Sequence, residues 1–274
     1  MNEDKIIHSE AMDMLMETSR TFFIPISYLE TGLKETIASA YLCMRAIDEI
    51  EDHVEVEPEI KSALLKSVSE LLRKPFDNNA YLSLIQPYKD ILPPVTQRLD
   101  EWISLCPSEI VEKVKEKTAI MADGMAEWVT KEWEIKSKQD LDEYTYYVAG
   151  LVGVMLSDIW EWYDNIDSDK DLAVSFGRGL QLVNILRNRQ EDLERGVDFF
   201  PNGWTMDDMF AYAKENLASA HKYIEDINNS TVVAFCSIPL ALADSTIDAL
   251  EKGREKISRA EVTELVSQVR RGLS

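Results

Sequence analysis

Three features of the sequence predict an all-α fold. Apolar residues recur at helical spacing along nearly the whole chain. The helix-breaking residues are scarce, 10 glycines and 9 prolines in 274 residues, and they sit mostly between the periodic segments. No stretch alternates polar and apolar residues strictly enough to read as a strand. With no internal repeat, low-complexity tract or linker-like segment, the simplest organisation is one all-α helical bundle domain over residues 1–274.

The elements follow from the breaks. Helices are expected at 4–18 and at 20–27, the second ending near Pro25. The next, 31–53, grows out of the apolar and small residues Ala38 to Met44, which makes it a core helix, and it stops before Glu57-Pro58. Segments 57–73, 79–86 and 95–105 are separated by Lys74-Pro75 and Pro93-Pro94. Pro107 opens 108–135, with Ser108 as the expected N-cap. Asp140 or Asp142 is the expected cap of 138–164. That helix is apolar on every side from Val148 to Leu156, so it belongs in the interior. Gly150 and Gly153 cost it stability, which implies that a neighbouring helix or a ligand chain passes close by. Segment 170–195 carries the apolar stripe Leu180, Val183, Leu186. Pro201-Asn202-Gly203 then separates it from 205–227, 230–252 and 258–271. The run from Val232 to Ala243, interrupted by Pro239, reads as a buried helix, and no apolar run approaches the roughly 20 residues that span a bilayer.

Composition narrows the function. A hydrophobic fraction of 45% supports a substantial core. A formal net charge of −21 opposes binding to nucleic acid or to an anionic membrane surface, and makes bound cations favourable where acids cluster. Cys43, Cys106 and Cys236 are scattered, match no metal-ligand spacing, and are an odd number, which points to a reducing cytoplasm. The opening residues 1–5 lack the basic and apolar regions of a signal peptide, and from the polar, basic residues 270–274 no anchor is expected. Any membrane contact is expected to be peripheral.

Two segments carry the chemistry. Residues 45–52 read Arg-Ala-Ile-Asp-Glu-Ile-Glu-Asp, and Asp48 and Asp52 stand four residues apart on one helical face. Mg2+ binds through few carboxylates together with phosphate and water, which such a pair offers. Arg45, three residues before Asp48 on that face, suits a diphosphate, since a guanidinium forks onto oxygens that the metal leaves free. In residues 184–192, Gln181, Asn184, Asn188 and Asp192 follow one another along a face at steps of three or four. Arg187 and Arg189 add positive charge. Two such faces turned toward each other would hold divalent cations and the phosphates they carry. The plainer alternative for the first segment is a solvated acidic helix end, and for the second a chance Asn/Asp pair of the kind many helices carry. An all-helical apolar bundle is also a good container for a hydrocarbon tail, so the pattern favours chemistry on a prenyl diphosphate.

The residues from about Ser19 to Pro201 resemble the squalene/phytoene synthase family, which joins two prenyl diphosphates head to head. Ser19-Arg20-Thr21-Phe22 is similar to its early Ser-x-Ser/Thr-Phe element. Tyr41 through Asp52 resembles its first aspartate-rich motif. Gly124-Met125-Ala126-Glu127, Lys138 to Tyr144 and Tyr147 to Gly153 resemble the squalene synthase branch. Gln181 to Arg187 resembles the lead-in to the second motif, and Phe199-Phe200-Pro201 its end. The resemblance implies an isoprenoid (terpenoid) synthase bundle around a central apolar cavity. It implies Mg2+, with Mn2+ as a substitute, held by Asp48, Asp52, Asn188 and Asp192. Ser19, Arg20, Tyr41, Arg45, Gln181, Asn184 and Arg187 would bind diphosphate. Phe22, Val148, Ala149, Gly150, Leu151 and Gly153 would line the cavity. Tyr144 would handle a proton or stabilise a cation, the alternative being a core tyrosine with a satisfied hydroxyl. Asp48, Asp52 and Asp192 complete the catalytic set. The expected substrate is farnesyl diphosphate and the expected product presqualene diphosphate or a squalene-type C30 chain, the latter requiring NADPH. Oligomeric state is not written in these motifs.

Two positions depart from the family pattern. Asn188 stands where the family has aspartate, and Asp198 where relatives often have a basic residue. Asn184 and Glu191 compensate in part. Both changes fall on the second motif, which leaves room for a one-substrate diphosphate phosphatase or terpene cyclase, and beyond that for a helical scaffold without chemistry.

Overall fold

Two compact units divide the chain, Met1–Glu132 and Trp133–Ser274. The computed structural model describes residues 3–272, and the side chains of all of these but 3–6, 20, 270 and 272. Every regular element among the described residues is helical, as the sequence predicts.

The first unit begins with α1 (Glu3–Thr18), α2 (Arg20–Ser27) and α3 (Leu33–Glu51). It continues through α4 (Pro58–Leu72), α5 (Asn78–Ile85), a 3-10 turn (Gln86–Tyr88), α6 (Pro94–Gln97), α7 (Leu99–Ser104) and α8 (Val111–Thr130). Helix α3 is its axis and packs against α1, α2, α4, α6, α7 and α8. Leu42, Ala46, Ile47 and Ile50 are fully buried at helical spacing. Each large one contributes about 1.5–3 kcal/mol by leaving water. Helix α4 lies along α8, where the hydroxyls of Ser62 and Ser69 donate to the carbonyls of Ala126 and Ala119, both at 3.0 Å. Small side chains let the two helices approach.

Several expected boundaries shift. Pro25 lies inside α2 rather than ending it. The expected helix 95–105 divides at Arg98 into α6 and α7. Ser108 does not cap α8: its hydroxyl donates to the Glu109 carboxylate at 3.1 Å, and the helix starts at Val111 without a side-chain cap. Helix α8 ends at Thr130, just before left-handed φ values of 53° at Glu132 and 52° at Trp133.

The second unit contains α9 (Lys138–Thr145), a π-helical turn (Tyr146–Gly150), α10 (Leu151–Asp164), α11 (Lys170–Glu194), α12 (Met206–Glu225), α13 (Ser230–Glu251) and α14 (Arg259–Gly272). The expected helix 138–164 therefore changes register midway. Its cap is Ser137. The Ser137 hydroxyl accepts from the Asp140 amide at 3.2 Å, and the Asp140 carboxylate accepts from the Ser137 amide at 2.8 Å. Asp140 is the return partner of a capping box rather than the cap.

The glycines explain the packing of α10 on α11. A Cβ on Gly153 would stand 2.0 Å from the carbonyl oxygen of Ala173, and one on Gly177 would stand 2.1 Å from that of Ala149. Backbone meets backbone at both positions, which only glycine permits. The π turn falls at this crossing, with Ala149 directly opposite Gly177.

Asp142 then ties α9 to α11 and α12. Its carboxylate accepts from Lys138 Nζ at 2.7 Å and from the Tyr212 hydroxyl. Its carbonyl accepts from Arg178 at 3.2 Å, and Arg178 also donates to the Thr145 hydroxyl at 3.1 Å. Helix α13 amends one expectation, since it is long and apolar enough by composition to cross a membrane. More than half of that stretch is buried within the structure, with Pro239 inside the helix, which is the behaviour of a core helix.

Candidate functional site

The last two turns of α3 gather an acid cluster in the first unit. Asp48, Glu51 and Asp52 each place one carboxylate oxygen within 4.8 Å of the others. Asp48 is half-buried, Glu51 is buried and Asp52 is exposed. Three converging carboxylates are a hard-oxygen donor set suited to a divalent cation of the Mg2+ or Mn2+ kind. Glu51 is the member that the i, i+4 pattern overlooks. It stands three residues after Asp48, so a search at i, i+3 as well would have found it.

Arg45 completes the cluster. Its guanidinium donates to the Asp48 carboxylate at 2.5 Å and to the Glu49 carboxylate. Burial disfavours its charge, but the two carboxylates outweigh burial and raise its pKa above the ordinary value. Asp48 behaves in the opposite sense to a surface acid. Burial first, then the charge of Asp52, push its carboxyl up to about 7, against the pull of Arg45.

Other expected residues lie beside this cluster. The Tyr41 hydroxyl is within hydrogen-bonding reach of the Ser19 and Thr18 side chains and feels the charges of Arg45 and Asp48. Burial raises its pKa, and those hydrogen bonds oppose the rise. The Phe22 ring is 5.8 Å from that of Tyr41. Ser19 is also the cap of α2, accepting from the Phe22 amide at 3.3 Å. Ser19, Phe22, Tyr41, Arg45 and Asp48 are thus brought together. Thr18 joins them without having been expected. The side chain of Arg20 lies outside the described residues.

The second segment, on α11 in the second unit, is built differently. Asn184 donates to the Gln181 side-chain oxygen at 3.4 Å, and Asn188 accepts from Arg187 Nε at 3.0 Å. Asp192 is buried, and its carboxylate accepts from Arg195 at 2.5 Å. Arg195 reaches it from the turn that ends the helix. There Gly196 adopts φ +85°, while the Gly196 and Val197 amides donate to the Leu193 and Asp192 carbonyls, both at 3.0 Å. Among the described residues Asp192 belongs to no acid group of cation-binding size, and Glu191 is exposed.

Arg187 lines a cleft of about 350 Å³ with Arg189, Arg254, Leu186 and Leu250. Asp198 accepts from Arg189 at 3.1 Å and from the Phe200 amide at 3.1 Å, while Arg189 lies 3.7 Å from the Phe200 ring centre. The acid at position 198 therefore fixes a neighbouring arginine.

Tyr144 is buried and stacks on Phe199 with ring centres 4.8 Å apart. Val148 and Ala149 are half-buried on the π turn, and Leu151 is buried. Two expected cavity residues are better explained by packing. Gly153 faces the α11 backbone at Ala173, and the space beside Gly150 is filled by the Val174 side chain, 3.0 Å from where a Cβ would stand.

Comparison with known proteins identifies the family and the fold. The family model for squalene/phytoene synthase matches residues 15–207, across both units. Squalene synthase of Eremothecium gossypii is 30% identical over 91% of this chain and 63% of its own length. That of Rattus norvegicus is 28% identical over 92% of this chain and 67% of its own. This chain thus spans about two thirds of the curated relatives it matches. A solved complex of TcSQS with a ligand superposes with a TM-score of 0.81 at 22% identity, covering 98% of this chain and 86% of that one. A dehydrosqualene synthase complex gives 0.65 at 19% identity, covering 99% and 98%. The motifs of α3 and α11 lie within the matched span, and the chain belongs to the squalene/phytoene synthase family.

Proposed function

We propose that this protein condenses two molecules of farnesyl diphosphate head to head, in a Mg2+-dependent reaction giving presqualene diphosphate or, with NADPH, a squalene-type C30 product. The observation that carries this reading is the convergence of Asp48, Glu51 and Asp52 beside Arg45. Those three acids would hold Mg2+, or Mn2+ in its place, which when bound neutralises a diphosphate and turns it into a leaving group. Arg45 is the fork for phosphate oxygens that remain, once it exchanges a carboxylate partner for phosphate. The Tyr41 hydroxyl feels the charge of Arg45 and has Ser19 beside it, which suits both hydroxyls to the same diphosphate. Tyr144, held flat against Phe199, is the residue for moving a proton or stabilising a cation. Both units serve one synthase domain, working in the cytoplasm and touching membranes only to release an oily product.

Incubation with farnesyl diphosphate, Mg2+ and NADPH tests the proposal. A C30 hydrocarbon or its cyclopropyl diphosphate is the expected product, and C15 products alone would overturn it.

A second reading has its own support. Asn188 is bound to Arg187 and Asp192 to Arg195, so the second motif offers less negative charge to a metal than the first. On this reading the enzyme ionises one prenyl diphosphate, and water or the chain itself captures the cation, giving an alcohol or a cyclic terpene.

A further inference from the structure

Lys61 is 6% exposed, a rare position for a lysine. It reaches from α4 to the end of α3, where its Nζ donates to the Glu51 carbonyl at 2.7 Å. The end of α3 is electrostatically costly. Its last turn contains no basic residue, while Asp48, Glu49, Glu51 and the cap Asp52 crowd the negative pole of the helix dipole. Lys61 supplies from another helix the cation that the last turn of α3 lacks.

The bond is placed where it counts for the acid cluster. The peptide group joining Glu51 to Asp52 carries the backbone of two of the three clustered acids. Its carbonyl accepts from Lys61 at 2.7 Å, and its N–H donates to the Asp48 carbonyl at 2.9 Å. A peptide group is planar, so pinning both ends fixes the positions of both α-carbons. Another bond from outside holds the same helix: the buried Thr96 hydroxyl donates to the Ala46 carbonyl at 2.9 Å.

We propose that Lys61 is a positioning residue for the metal site, holding the Glu51–Asp52 peptide so that both carboxylates meet Asp48 at one cation. The proposal rests on the metal-binding reading of that cluster. Residues that hold ligands in place without touching the metal commonly change metal affinity by about 10–100-fold when lost.

The test compares the wild type with Lys61→Met, Lys61→Arg and Asp52→Asn, using Mn2+ as the probe. Mn2+ affinity is read by electron paramagnetic resonance, and hydrogen exchange of the metal-free protein is followed over residues 46–54. Lys61→Met should bind Mn2+ at least about tenfold more weakly and exchange faster in that segment. Lys61→Arg, which keeps a charged donor, should recover part of both. If Lys61→Met does not fold, Lys61→Leu is read in the same way. Wild-type or tighter Mn2+ binding by the folded, donor-free variant would overturn the proposal. So would faster exchange with unchanged affinity, which marks a helix cap and nothing more. Failure of the wild type to bind Mn2+, or full binding by Asp52→Asn, would overturn the metal site itself and the role of Lys61 with it.

Discussion

Arg45 and Asp48 are joined by a 2.5 Å hydrogen bond one turn apart on α3, and the same guanidinium also reaches Glu49. This places a fixed positive charge against the acid cluster. Arg45→Lys would keep the charge but lose the two-pronged reach. A charged hydrogen bond is worth about 1.5–3 kcal/mol, so KM for the prenyl diphosphate should rise about tenfold or more. Steady-state kinetics at saturating Mg2+ would show this, and an unchanged KM would remove Arg45 from diphosphate binding.

Asp48 sets a pH dependence. Its carboxyl lies near 7 in the folded protein, against about 3.9 for an ordinary aspartate. A raised value means that the folded state holds the proton more tightly. The associated stability is complete below about pH 4 and is lost as the pH rises to about 7. In chelator, melting temperature should fall more steeply between pH 5 and 7 for the wild type than for Asp48→Asn. Divalent-ion affinity should rise over the same range and level off above about pH 7, because the metal must displace that proton. Calorimetry across the range checks both.

The crossing of α10 and α11 depends on glycine. Gly153→Ala and Gly177→Ala each drive a methyl group into a backbone carbonyl and should cost about 1–3 kcal/mol or more. Gly150→Ala meets only the tip of Val174 and should be milder. Thermal unfolding of the three variants would rank them.

Asn188→Asp puts a carboxylate four residues before Asp192. Under the one-substrate reading it should raise the share of coupled C30 product, measured by chromatography of the reaction mixture. An identical product profile would discard Asn188 as the cause of any failure to couple.

Tyr144→Phe keeps the ring that stacks on Phe199 and removes the hydroxyl. A proton-handling role predicts near-native melting with product formation reduced at least about a hundredfold. Retained activity would make Tyr144 a core residue.

The helices and the first motif were largely legible in the sequence, because helical spacing and an aspartate pair at i, i+4 are local signals. What was hidden depends on tertiary contact. Glu51 looks like one more acid in an acidic run until burial turns it toward Asp48. The π turn at 146–150 falls where α11 approaches, and the local sequence does not announce the change of register. Gly150 and Gly153 signalled close approach correctly, and only the structure identifies the neighbour as a helix. On α11 the polar stripe was readable. The pairing of Asp192 with Arg195, three residues on, is a local i, i+3 contact and was equally readable.

The central claim is that the end of α3 is a metal and diphosphate centre. Mn2+ titration followed by electron paramagnetic resonance tests it most directly, with and without inorganic diphosphate. The account predicts a bound ion in the wild type, tighter binding when diphosphate is present, and loss of both in Asp48→Asn and Glu51→Gln. A wild type that leaves Mn2+ free, or variants that bind it as the wild type does, would contradict it.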